Sequence, residues 1–334
     1  MKNVSTLRAL ILATLIFSLA GCGADTSQEQ EEPGKPDASE TPSNAAEDDV
    51  EAGAEAAPDA PEERVIDVIA RDFSIEAPEQ MDTGWYTMRL DNQGQQTHFV
   101  IMYRLAEGRT IEDQRREVVP AFDAVMAGIR NGEIEKADIG NFLVENIPEW
   151  GLQMTYIGGA GLVAPGKTTQ SSFRVPEAGT YLMECYVKST DGTWHTSMGM
   201  LTQVEVTDQE DEGVEPESDF TIAISNDGIE APETLPAGRQ TIRVDINDRP
   251  ETFMPYDVNL ARLGEDSDLE EIVFWMDWSN VGGLRAPAPV EFLGGVEHME
   301  AGNHGYLTVD LSPGRYLWIS EINAGEMHKV FTVE

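Results

Sequence analysis

The chain predicts an all-β protein of two tandem Greek-key β-sandwiches, each with a short helical insert. Three observations carry this. The sequence repeats itself in order, its apolar residues fall in short β-rich runs closed by Gly, Pro or Asn, and helical periodicity surfaces only twice. At 334 residues with 40% hydrophobic content, the chain is long enough for two cores. Sixty-one acidic against 22 basic residues give a net charge of −39, which excludes phosphate-backbone binding because the neutralising Lys and Arg are missing. Two cysteines exclude a disulfide-rich scaffold.

Residues 1–22 read as an export signal. Lys2 and Arg8 precede an apolar run over 9–20, shorter than the roughly 20 residues that span a bilayer. Leu19-Ala20-Gly21-Cys22 resembles a bacterial lipobox, in which the Cys22 thiol takes the lipid; the alternative is an ordinary cleaved signal. The resemblance to envelope lipoproteins implies an exported, lipid-anchored chain with no other hold on the membrane. In a Gram-negative cell, Gly23 after the cysteine implies the periplasmic side of the outer membrane. Residues 23–63 are Ala, Pro, Ser, Asp and Glu with hardly an aliphatic side chain, so burial cannot offset ordering entropy, and an acidic, proline-stiffened tether is expected. A second acidic stretch, 208–218, reads as a linker.

The blocks 64–207 and 219–334 are internal repeats. Ile75-Glu76-Ala77-Pro78-Glu79 returns as Ile229-Glu230-Ala231-Pro232-Glu233, and Gly84, Thr87, Arg89 and Asp91 return as Gly238, Thr241, Arg243 and Asp245. Later, Gly179-Thr180-Tyr181-Leu182 matches Gly314-Arg315-Tyr316-Leu317. In the first repeat, strands are expected at 86–90, 99–103, 169–175, 181–187 and 201–207. Thr110 can cap a helix carrying Ile111, Val118, Phe122, Val125 and Ile129, with Pro120 breaking or kinking it. The second repeat has a shorter helical pattern over 268–277.

Chemistry concentrates in the first repeat. Cys185 ends one strand, Asp191-Gly192 is a strong turn signal, and a reversal there returns His195 opposite Cys185 with Met200 starting the next strand. His98 heads another strand after Asn92-Gln93-Gly94. Taken singly, each has an ordinary account as a buried thiol or a hydrogen-bonded imidazole. Together, a thiolate, two imidazoles and a thioether are the donors of a mononuclear copper site, with Met198 a competitor of Met200 for the weak axial place.

These residues resemble the cupredoxin (blue-copper, plastocyanin-like) family. Asn92 and Gly94 with His98, the 176–185 segment with Pro176, Gly179, Tyr181 and Cys185, and His195-x4-Met200 carry the resemblance. It covers nearly all of 64–207 and, more weakly, the second repeat. It departs in the nine residues between Cys185 and His195, a longer loop than well-known blue-copper proteins use, but similar to uncharacterised bacterial cupredoxin-domain lipoproteins with C-x9-H-x4-M. The resemblance implies His98, Cys185, His195 and Met200 as ligands of one copper ion and single-electron transfer rather than enzyme catalysis. Its partners would be an envelope redox or copper-trafficking protein. The alternatives are a copper-handling lipoprotein without electron transfer and a metal-free envelope interaction module.

The second repeat places Tyr256 at the His98 position, Ser320 at the Cys185 position and Met327 at the Met200 position, so it is expected to hold no metal. His298, His304 and His328 fit no metal motif and read as surface residues.

Overall fold

In a computed structural model of the chain, the structure describes residues 63–209 and 212–334; the export segment, Cys22 and nearly all of the tether lie outside the described residues. Within the first repeat, alternating and fully apolar runs form the expected strands, now bounded as Gly84–Asn92, His98–Arg104, Thr168–Val175, Gly179–Glu184 and Leu201–Thr207. The expected 181–187 strand ends sooner, at Glu184: the amide of Cys185 still bonds the Met200 carbonyl, and beyond it the chain leaves the ladder for a hairpin of its own.

The two repeats are built alike. Val65–Arg71 runs parallel to Gly84–Asn92 in the first, as Phe220–Ser225 runs parallel to Gly238–Ile246 in the second. His98–Arg104 lies between Thr155–Val163 and Gly179–Glu184, as Val258–Leu263 lies between Glu291–Val296 and Gly314–Ile319. They do not stand apart, however. Thr168–Val175 pairs antiparallel with His304–Leu311, and Thr155–Val163 pairs with Glu291–Val296, so an eight-stranded and a ten-stranded sheet each run through both repeats. Each repeat thus covers sheet edges of the other that would otherwise expose unpaired backbone groups. Phe99, Phe173 and Tyr181 fill the space between the sheets in one half, and Phe292, Trp318 and Phe331 in the other. Each such side chain contributes about 2 kcal/mol by leaving water.

The acidic stretch 208–218 does more than connect. Across its described part, the Trp85 amide donates to the Glu212 carbonyl at 2.7 Å, and Glu215 accepts from the Tyr306 hydroxyl at 2.5 Å and pairs with His304 at 2.7 Å. Gly84, at φ +121°, permits this approach, since a Cβ there would lie 2.6 Å from the Glu212 carbonyl oxygen.

Helical segments between His98–Arg104 and Thr155–Val163 exceed the single insert expected. Ile111–Asp113 passes through a π-helical turn, Gln114–Val118, into Val119–Asn131, and a further helix, Ile139–Asn146, follows. Pro120 explains the irregular turn: it lacks an amide proton and sits at the start of the long helix, so the preceding residues rearrange rather than clash with its ring. In the second repeat, Leu269–Met276 is capped by the Asp268 carboxylate, which accepts from the amides of Glu270 and Glu271 at 2.9 and 3.4 Å. No helix among the described residues is long and apolar enough to cross a membrane.

Candidate metal centre

Three of the expected donors meet at one end of the first repeat. Cys185 follows Gly179–Glu184, His98 begins His98–Arg104, and His195 begins the short helical turn His195–Met198. Cys185 Sγ lies 3.6 Å from His98 Nδ1 and 3.8 Å from His195 Nδ1, and the ligand atoms of all three residues fall within 4.8 Å of one another. All three side chains are buried. Among the described residues this is the only group of three or more His, Cys, Asp or Glu side chains arranged to hold a metal ion.

Local sequence explains the convergence. Asp191-Gly192 turns the chain with Gly192 at φ +87°, and Asp191 Oδ1 accepts from the Ser189 hydroxyl at 2.6 Å and the Thr193 amide at 2.9 Å. The amide of His195 then donates to the Val187 carbonyl at 2.8 Å, bringing the imidazole back over Cys185. Met200 is tied to both of these residues: its amide donates to the His195 carbonyl at 2.9 Å, and its carbonyl accepts from the Cys185 amide at 3.1 Å. Its side chain is buried, whereas that of Met198 is exposed.

The outer ring nitrogens also have partners. His98 Nε2 donates to Asp72 Oδ1 at 3.1 Å, and His195 Nε2 donates to Gln96 Oε1 at 3.2 Å. Each bond places the ring proton on Nε2 and directs the Nδ1 lone pair at the thiol. Asp72 is a hub, accepting also from the amides of Gln95 and Gln96 at 3.0 and 3.3 Å. Phe73, in the same two-residue turn, has φ +71° and lies edge-on to His195 with ring centroids 5.4 Å apart. Asn92 ties the loop that carries Gln96 to the neighbouring strand, donating to the Gln96 and Val163 carbonyls at 2.8 and 2.9 Å.

Sequence reasoning missed Asp72, Phe73 and Gln96. A signal for Asp72 existed in the repeat: it aligns with Asn226, whose Oδ1 accepts from the Tyr256 hydroxyl at 3.0 Å, just as Asp72 accepts from His98. The other equivalences hold in the backbone. The Ser320 amide donates to the Met327 carbonyl at 2.9 Å, repeating the bond between Cys185 and Met200.

Burial lowers the basicity of both imidazoles. His98 falls below the usual histidine range despite Asp72, and His195 falls to about 3 through burial and the neighbouring His98. Burial pushes the Cys185 thiol up to about 12. Two neutral imidazoles and a thiol that gives up its proton only to a cation form a set that fits a copper ion: sulfur suits Cu(I), and imidazole suits Cu(II).

One expectation is corrected. His298 is not a surface residue but buried, with Nδ1 2.7 Å from the Pro255 carbonyl and Nε2 2.7 Å from the Tyr186 hydroxyl. It lies among Asp257, Glu297 and Glu321, also buried. A lone histidine in an acidic sequence gives no warning of this, because the carboxylates come from three separated segments. His304 pairs with Glu215, and His328 Nδ1 donates to the Ala324 carbonyl at 2.8 Å; both are partly exposed.

No family model and no curated protein matches the chain. Among solved structures, it is similar to auracyanin A, a blue copper protein of Chloroflexus aurantiacus, at 20% identity over 43% of this chain and 98% of that one, with a TM-score of 0.26. An azurin of Methylomonas sp. strain J is 14% identical over 44% and 98% of the two chains, with a TM-score of 0.24. A multicopper oxidase is 14% identical over 83% and 91%, with a TM-score of 0.22. Paired β-sandwich repeats with a buried His-Cys-His cluster at the end of one give the arrangement that the resemblance implied, and that cluster can hold one metal ion.

Proposed function

We propose that the chain binds one copper ion through His98, Cys185 and His195, with Met200 as a weak axial donor, and acts as a single-electron carrier rather than an enzyme. The observation that carries this reading is the convergence of Cys185 Sγ and two histidine Nδ1 atoms inside a water-excluding pocket, each ring anchored through its far nitrogen. Bound there, copper supplies a one-electron couple. The protein's part is to hold the same donors for both oxidation states: Asp72 and Gln96 stop the rings from turning, and the bonds joining Cys185, His195 and Met200 keep the loop from opening.

Location and partner belong to the same proposal. The 1–22 segment and Cys22 support export and lipid anchoring, with the 23–63 tether holding the sandwiches off the lipid. A net charge of −39 favours a redox partner in the envelope with a basic docking face.

The test is copper titration and voltammetry of the full chain carrying Cys22→Ser, in which Cys185 is the sole thiol. A carrier takes up one equivalent, develops a thiolate-to-copper band in the visible and cycles reversibly with the metal retained. Loss of copper on reduction would make the protein a copper handler, and no uptake with Cys185 freely alkylated would make it a metal-free interaction module.

A further inference from the structure

The nine residues between Cys185 and His195 form a small hairpin, with the Ser189 amide bonded to the Thr193 carbonyl at 2.8 Å and Lys188 bridged to Trp194. Its outer arm is not free. The Lys188 amide donates to the Leu284 carbonyl at 2.7 Å, the Ala286 amide donates to the Lys188 carbonyl at 2.8 Å, and the Arg285 guanidinium donates to the Thr190 carbonyl, its Nε at 2.9 Å. The arm thus forms a short parallel bridge to residues of the second repeat.

The side chain of Lys188 completes the joint. It is fully buried, and its Nζ donates to the carbonyls of Trp278 and Asn280 at 2.9 and 2.7 Å while lying 4.7 Å from the ring centroid of Trp194. Both carbonyls belong to the turn that follows helix Leu269–Met276. That turn is tight: a Cβ on Gly283 would come 1.7 Å from the Asp277 carbonyl oxygen. Burying an ammonium is costly unless its donors are met, and an apolar side chain would fill the space more cheaply. Trp194, over which the ammonium sits, immediately precedes His195, so the joint acts one residue from a donor. The corresponding step in the second repeat, from Ser320 to Met327, is seven residues against the fifteen from Cys185 to Met200, and it lacks this arm.

We infer that Lys188 is a positioning residue for the metal centre, and that the second repeat, through its 278–286 segment, holds the His195 loop in its donor geometry. This rests on the reading of the cluster as a metal centre. It gives the second repeat a role: a longer loop gives up more conformational freedom when it is ordered, and the docking surface supplies what a shorter loop would not need.

The test uses the full chain carrying Cys22→Ser with Lys188→Met, which keeps the apolar stem, or with Arg285→Ala, at the outer end of the joint. In the metal-free protein, amide exchange across 186–195 and the alkylation rate of Cys185 are measured. In the copper-loaded protein, the visible band and the rate of copper loss to a chelator are measured. Both variants should exchange, alkylate and release copper at least about tenfold faster, with a shifted band, while far-UV circular dichroism is unchanged. Rates within about twofold of the parent in folded Arg285→Ala would overturn the inference, and that variant decides alone if Lys188→Met does not fold. If the parent takes no copper, the function proposed above fails, whereas the metal-free exchange and alkylation rates still decide the joint.

Discussion

His98 Nε2 and Asp72 Oδ1 are 3.1 Å apart, and the same place in the second repeat is taken by Tyr256 and Asn226 at 3.0 Å. The fold therefore keeps a polar contact between these two segments whether the partner is an imidazole or a phenol. In the first repeat the carboxylate adds charge to that contact. It fixes the proton on Nε2 and raises the donor strength of Nδ1.

Asp72→Ala should weaken copper binding about tenfold to a hundredfold, measured by chelator competition, with the visible band retained. Gly94→Ala should act in the same direction, because its Cβ would lie 2.4 Å from Asp72 Oδ1 and 2.7 Å from His98 Nε2. Unchanged affinity in both variants would mean that Asp72 only supports the turn.

Cys185→Ser should abolish the visible band and His195→Ala should at least shift and weaken it, whereas His298→Gln should leave one equivalent of copper bound. His298 is engaged with Pro255 and Tyr186 and is not a member of the His98-Cys185-His195 group. A site lost with His298→Gln but retained in Cys185→Ser would move the chemistry to the second repeat.

Met200→Leu should raise the reduction potential with copper still bound, and Met198→Leu should leave it unchanged. The buried Met200 is tied through its backbone to two donors, while Met198 is exposed. Voltammetry of the two variants separates them, and equal potentials would remove Met200 from the set.

The buried His298 predicts a pH dependence of stability. Burial lowers its basicity, but Asp257, Glu321 and Glu297 outweigh burial and bring it up to about 9. A folded value above the ordinary 6.5 means that the native state holds the proton more tightly. The contribution, on the order of 3 kcal/mol, is complete below about pH 6.5 and is lost as pH rises through 9. Urea midpoints should fall more between pH 6.5 and 9 in the parent than in His298→Gln. Parallel slopes would show that the imidazole is not charged in the native state.

From sequence alone came the repeat, the sandwich strands, both helical inserts and the residues His98, Cys185 and His195 that the fold brings together. These are legible because they depend on local signals: side-chain alternation, turn residues such as Asp191-Gly192, and the order of soft and imidazole donors. Tertiary structure alone decided that the two repeats share both sheets, that Asp72 and Gln96 orient the two imidazoles, that His298 is buried among carboxylates, and that Lys188 docks the ligand loop on the second repeat. The physical reason is range. Glu297 beside His298 apart, these contacts join segments from about two dozen to more than 100 residues apart, and a hydrogen bond or strand edge across that distance leaves no periodicity in the chain that makes it.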